Sequence, residues 1–123
     1  MYSVEIDQGK RLLVISAVGR VTRDEVKAAA QEVRDKVKDV PPGLRVLTDF
    51  RWMDSMESAA APHVAAIMDA LAEKSAALVV RVMPDPRKDI GLNILSQFHY
   101  GADIQLITVE TLAEALRNLM DEK

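Results

Sequence analysis

The stretch Leu44-Arg45-Val46-Leu47-Thr48-Asp49-Phe50-Arg51-Trp52-Met53-Asp54-Ser55-Met56-Glu57 decides how this chain is read. Leu44 to Asp49, with Val46 and Leu47 adjacent, is nearly continuous in apolar character, the pattern of a strand buried on both faces of a sheet. Asp49 to Glu57 mixes charges with Trp52, Met53 and Met56 and reads as a loop leading into a helix.

Working upstream, Pro41-Pro42-Gly43 stops a preceding helix and turns the chain into the central strand. That helix opens on Thr22-Arg23-Asp24-Glu25, a capping box in which the Thr hydroxyl takes an orphan amide and Glu25 reaches back. Its apolar face is Val26, Ala29, Ala30, Val33 and Val37, with Glu32 and Lys36 as an i,i+4 pair elsewhere. Further upstream, a short strand through Val4 and Ile6 and a strand from Leu12 to Val18 form a hairpin about Gln8-Gly9-Lys10. Gly19-Arg20 closes the second strand.

Downstream, Pro62 sits in the first turn of a helix whose face is Val64, Ile67, Met68 and Leu71. Ala76 to Met83 is another nearly continuous apolar strand. Asp85 is the expected cap of the next helix, with Pro86 at its first position, Ile90, Ile94, Leu95 and Phe98 facing inward, and Gly101 ending it. Ile104 to Val109 is the last strand. Thr108 is the expected cap of the last helix, which turns Leu112, Leu116, Leu119 and Met120 inward. The order β-β-α-β-α-β-α-β-α predicts an α/β fold: a single mixed sheet of about five strands, an opening hairpin followed by parallel βα units, and four helices.

Bulk properties bound the function. The 123 residues suit one domain, 1–123, and 49% hydrophobic with 28% charged residues is an ordinary globular balance. A net charge of −3 lacks the basic excess that phosphate neutralisation demands, so nucleic acid is not an expected partner. The chain has no cysteine, which removes disulfides, thiolate metal sites and a Cys nucleophile. Residues 1–10 carry Glu5, Asp7 and Lys10 without an apolar block, so no secretory signal is expected, and no window is long enough for a membrane span. A cytoplasmic location follows as the expectation.

The element order, together with Met53-Asp54-Ser55 after the central strand, resembles a STAS domain, the fold of anti-sigma-factor antagonists and of sulfate-transporter tails. That family carries a Met-Asp-Ser-Ser-Gly segment whose second Ser is phosphorylated by a partner kinase. Met56 and Glu57 stand here in place of that Ser and the Gly. The resemblance therefore implies the fold and a regulatory protein partner, in a divergent branch without the full motif.

Ser55 reads as a helix cap beside Asp54 and Ser58, or as a phosphoacceptor near a helix N-terminus, a role Ser58 shares. Asp54 and Glu57 would repel that phosphate. Trp52, Met53, Asp54, Ser55 and Met56 form the candidate partner-binding segment, because a lone Trp among flexible Met residues suits a partner surface or a lid over the core. Arg51, Arg87 and Lys88 are candidate anion ligands at the strand ends, or charges neutralised by Asp49, Asp85 and Asp89. His63 and His99 fall at opposite helix ends, so no metal site is expected, and His99 reads as complementing a helix C-terminus. No Walker A, Gly-x-Gly-x-x-Gly or Gly-x-Ser-x-Gly motif occurs, so no cofactor is expected and the reading is non-enzymatic. The alternative is a binder of a small apolar or anionic ligand lined by Met68, Met83 and Phe98. A homodimer through the edge strand Tyr2–Ile6 is a further expectation.

Overall fold

The structure is a computed structural model and describes residues 1–85, 87, 90–100 and 103–120. β1 (Tyr2–Asp7) and β2 (Leu12–Val21) form the antiparallel hairpin, with Val4 opposite Ile15. The Asp7 carboxylate accepts the Lys10 amide at 3.1 Å in the turn. β2 does not stop at Gly19-Arg20. Gly19 takes φ +71°, a conformation a side chain resists, and a bulge there lets the strand run on to Val21.

α1 (Arg23–Val37) begins with the capping box: the Glu25 amide donates to Thr22 Oγ1 at 3.2 Å and the Thr22 amide donates to Glu25 Oε1 at 2.9 Å. Its expected stripe from Val26 to Val37 is buried, and Lys36 pairs with Glu32 at 3.4 Å. β3 spans Arg45–Met56, so most of the segment read as a loop continues the strand instead. After it, a 3-10 turn (Ser58–Ala60) leads into α2 (Ala61–Glu73), with Pro62 in the first turn. Neither Ser55 nor Ser58 caps α2. The cap position is Ala60, which offers no side-chain acceptor.

β4 (Leu78–Val82) is buried throughout, α3 spans Ile90–His99, β5 Gln105–Val109 and α4 Leu112–Met120. The expected Pro86 and Gly101 punctuation of α3 lies outside the described residues. The α4 cap is Thr111 rather than Thr108: the Glu114 amide donates to Thr111 Oγ1 at 3.1 Å, while Thr108 lies in β5. α4 buries Ala115 and Leu119, and leaves Leu116 and Met120 exposed.

The sheet order is β1-β2-β3-β4-β5, with β2 to β5 parallel. Sequential parallel neighbours joined by crossovers of one hand put their helices on one face. α1, α2 and α3 accordingly share a core with the face carrying Leu13, Ile15, Val46 and Val79. α4 lies on the other face, against Leu47, Val80, Val82 and Val109. Among the described residues no helix covers the β1–β2 half of that second face.

α3 is rotated from its expected face. Ile94 and Phe98 are 52% and 79% exposed, whereas Leu92, Ser96 and Tyr100 are buried. The physical reason is Arg81, 2% exposed on β4. A buried guanidinium has to be hydrogen-bonded, and it donates to Ser96 Oγ at 2.8 Å and Asn93 Oδ1 at 3.2 Å. Ser96 in turn donates to the Leu92 carbonyl at 2.8 Å. Burial pushes the Tyr100 phenol up to about 12, against the opposing influence of Arg81. Hydrogen bonding to Glu32, with burial, raises the Tyr2 phenol as well.

Thr22→Ala should lower unfolding stability by about 1 kcal/mol, seen as a lower urea midpoint at unchanged slope. Arg81→Met leaves the buried Ser96 hydroxyl without its guanidinium partner and should cost about 3 kcal/mol, by the same measurement. Because the Tyr100 phenol is raised from 10.0 to about 12 by folding, its contribution to stability is whole below pH 10 and disappears as pH climbs toward 12. Absorbance at 295 nm should show no normal tyrosine ionisation near pH 10 until the chain opens.

Candidate functional site

The candidate site starts from a mismatch in strand length. β3 pairs with β4 only over Arg45–Asp49, opposite Leu78–Val82. Beyond Asp49 it continues beside β2, through Val18 to Val21. Among the described residues the other edge of residues 50–56 meets no strand. The break falls at Asp49-Phe50-Arg51. There Asp49 Oδ1 accepts the Arg51 amide at 3.1 Å and, with Oδ2, both arms of the Arg51 guanidinium at 3.0 and 2.9 Å. Partial burial works to raise the Asp49 carboxyl, but Arg51 outweighs it and holds the acid below its ordinary range.

Beside this segment lies a groove of about 570 Å³, between the end of β3, the start of α2 and the N-terminal half of α3. Its walls are Met53, Met56, Val64, Leu92, Ile94 and Leu95, and its rim carries Asp54, Ser55, Glu57 and Ser58. Behind Met56, Val64 and Leu92 is a second, apolar cavity of about 60 Å³ reaching Ala29, Met68 and Tyr100. Of the residues expected to line a ligand pocket, Met68 does so; Met83 is buried elsewhere and Phe98 faces solvent.

Pairing with β2 divides the segment expected to bind a partner: alternation sets Trp52 and Met53 on opposite faces, and the register shift between Met53 and Ser55 brings Met56 back to the side of Met53. Met53 is buried and Met56 half-buried, both packed on the α1–α3 side. Trp52 is 64% exposed, beside exposed Val18 of β2, on the face that α4 leaves bare. The Arg51 guanidinium lies 5.5 Å from the Trp52 ring centroid. Trp52 is thus neither a loop residue nor a lid over the core. Asp54 and Ser55 are exposed on the strand, and Ser58 is exposed at the start of the 3-10 turn.

Glu57 is tied down. Its Oε1 accepts the Arg23 amide at 2.7 Å, at the first turn of α1, and its Oε2 accepts from Arg20 at 3.3 Å. The two positions that depart from the STAS motif therefore serve packing: Met56 seals the apolar wall, and Glu57 links the end of β3 to α1.

Of the candidate anion ligands, Arg51 and Arg87 are each held by an acid of their own. Arg87 repeats the Arg51 arrangement, with Asp85 accepting its amide at 3.0 Å and its guanidinium at 3.1 Å; Lys88 lies outside the described residues. His99 pairs through Nδ1 with Asp69 of α2 at 2.7 Å, which joins α3 to α2 rather than closing a helix end. His63 remains in the first turn of α2. Among the described residues no group of His, Cys, Asp or Glu is placed to hold a metal ion, and no helix is long and apolar enough to cross a membrane. Arg81 escaped the sequence reading, although an arginine inside the apolar run Leu78–Met83 was its signal.

No protein-family description matches the sequence, and no curated protein is detectably similar to it. Solved structures do resemble it. The anti-sigma factor antagonist SpoIIAA in its unphosphorylated form aligns with a TM-score of 0.69 at 14% identity over 100% of both chains. A DUF3478-family protein with a SpoIIAA-like fold from Shewanella loihica aligns at 0.69 and 18% identity, over 97% of this chain and 92% of that one. An anti-sigma factor antagonist from Mycobacterium paratuberculosis aligns at 0.61 and 25% identity, over 98% and 94%. In all three the likeness runs nearly end to end and includes the strand bearing Trp52, so the chain is STAS-like, with the SpoIIAA-like α/β architecture.

Proposed function

We propose that this chain is a non-enzymatic regulatory module that binds a protein partner through the end of β3 and the turn into α2, with Trp52, Met53, Asp54, Ser55 and Met56 at the contact. The observation that carries the reading is Trp52. The only tryptophan is two-thirds exposed on a rigid strand rather than buried in a core, and large exposed aromatics are disproportionately binding anchors. The likeness to anti-sigma factor antagonists supports a protein as the partner. Ser55 and Ser58, exposed beside the groove, are the hydroxyls open to a regulating kinase, although the carboxylates of Asp54 and Glu57 raise the electrostatic cost of a dianion there.

The second reading, a small apolar ligand, draws on one observation: the apolar 60 Å³ cavity shares the wall Met56–Val64–Leu92 with the open groove. An apolar molecule crossing that wall would stabilise the fold by mass action. The bidentate Asp49–Arg51 and Asp85–Arg87 pairs weigh against an anion.

Tagged protein recovered from its native cells, with mass spectrometry of everything retained, separates the readings. The wild-type chain should retain a stoichiometric protein. Trp52→Ala should retain at least tenfold less at an unchanged melting temperature, because the ring supports no core. Equal recovery by both would remove Trp52 from the interface. A bare wild-type chain whose melting point rises with fatty acids or other apolar additives would favour the ligand.

A further inference from the structure

β1 stands at one end of the sheet and pairs with β2 on one side. Met1 and Val18 exchange backbone hydrogen bonds at 3.1 and 2.8 Å, and antiparallel pairing alternates bonded with non-bonded pairs from there. Ser3, Glu5 and Asp7 therefore turn their amides and carbonyls toward β2. Tyr2, Val4 and Ile6 turn theirs outward, where they meet no strand among the described residues. We propose that this edge takes a second copy of the chain: two β1 strands pair antiparallel about a two-fold axis at Val4 and join two five-stranded sheets into one.

What selects a second copy is that β1 matches itself at three levels. The first is the backbone. The outward-turned residues are evenly spaced about Val4, so Tyr2 meets Ile6 of the second copy and Val4 meets Val4, each pair exchanging two hydrogen bonds. A shift of one residue turns the wrong side chains to each face, and a shift of two loses a bonded pair. The second level is the face under α1. Val4 is buried there and Tyr2 and Ile6 are half-buried, so the same register sets Val4 on Val4 and an aromatic on a branched aliphatic. Such cross-strand pairs favour association.

The third level is charge. The opposite face carries Met1 and Ser3 in the first half of the segment and Glu5 and Asp7 in the second, all exposed. The antiparallel register sets Glu5 opposite Ser3 of the second copy and Asp7 opposite Met1. A parallel pairing in register, or one centred on Glu5, sets acid directly against acid, which is unfavourable. The edge is also preformed. Its six residues pair with β2 without a bulge, and Tyr2 donates to Glu32 Oε2 of α1 at 2.6 Å. Edges that stay single are commonly blunted by a proline, a bulge or an inward-pointing charge, and β1 has none of these. An edge already in place spares a second copy part of the ordering cost.

Sedimentation equilibrium on the whole protein should give twice the mass of one chain. Val4→Pro removes an outward amide that bonds nothing in β2, the position at which edge strands accept proline. It should weaken association about tenfold or more with the fold retained. Cross-linking decides the matter should that variant fail to fold. Ser3 and Glu5 are exposed, and the chain has no cysteine of its own. Ser3→Cys and Glu5→Cys chains, mixed and oxidised, should form the mixed disulfide about tenfold faster than either chain links to itself. The register sets these two positions side by side in a non-hydrogen-bonded pair and keeps like positions two residues out of step. Trp52→Ala should leave the dimer intact, because the pairing does not rest on the partner-binding reading. The mass of a single chain even at millimolar protein, a folded Val4→Pro variant that still dimerises as tightly, or no preference for the mixed disulfide overturns the β1 pairing and leaves the Trp52 reading standing. Dissociation by Trp52→Ala also overturns it and assigns the second copy to the Trp52 surface instead.

Discussion

The chain depends on how far β3 continues past its neighbour. Over Arg45–Asp49 it is paired on both sides and sits at the centre of a parallel sheet. From Phe50 onward β2 is the strand among the described residues that stays with it. Two local features make that extension possible. Gly19 lets β2 pass through a bulge that a side chain at φ +71° would resist, and the Asp49–Arg51 clasp accommodates the extra residue on β3. Glu57 then anchors the far end on α1. The exposed tryptophan and the groove both follow from this one extension, because a β3 ending at Asp49 would have neither.

Arg81 governs the opposite wall of the groove. Placed on a fully buried strand, its guanidinium requires polar partners from whatever packs above it, and Asn93 and Ser96 supply them from α3. Satisfying those bonds directs Leu92, Ser96 and Tyr100 inward and leaves Ile94 and Phe98 outside. Pure apolar packing would turn the helix the other way, since Ile94 and Phe98 are larger than Ser96. The polar requirement of one residue thus sets which side chains of α3 border the groove. The His99–Asp69 pair holds the same helix against α2 at its other end.

The fold was legible where local chemistry and tertiary environment agree. Thr22-Arg23-Asp24-Glu25 forms the box its spacing predicts, the α1 stripe is buried as spaced, and β4 is apolar because both its faces are covered. The reading failed where a distant partner decides. Asp49 to Met56 has the charge content of a loop, and only pairing with β2 makes it a strand. Thr108 and Thr111 are both sound caps by type; the length of β5 selects the second. The inward set of α3 could not be found by periodicity, because periodicity weighs apolar residues and that helix answers to an arginine on another strand. The segment proposed as the site was singled out in sequence, but the division of its side chains between two faces depends on pairing with β2, which a loop does not have.

The departures at Met56 and Glu57 acquire a physical meaning from this geometry. In the resembled family the position of Met56 carries an exposed phosphoacceptor next to a glycine. Here the methionine packs against the core and separates the inner cavity from the groove, while the glutamate holds the strand end to α1. A phosphate at position 56 would have to enter an apolar wall, at a desolvation cost that Arg20 and Arg51 do not offset, since Arg20 is committed to Glu57 and Arg51 to Asp49. A surface switched by a phosphate would need a mobile loop and a free cation, and this segment has been built into the sheet instead.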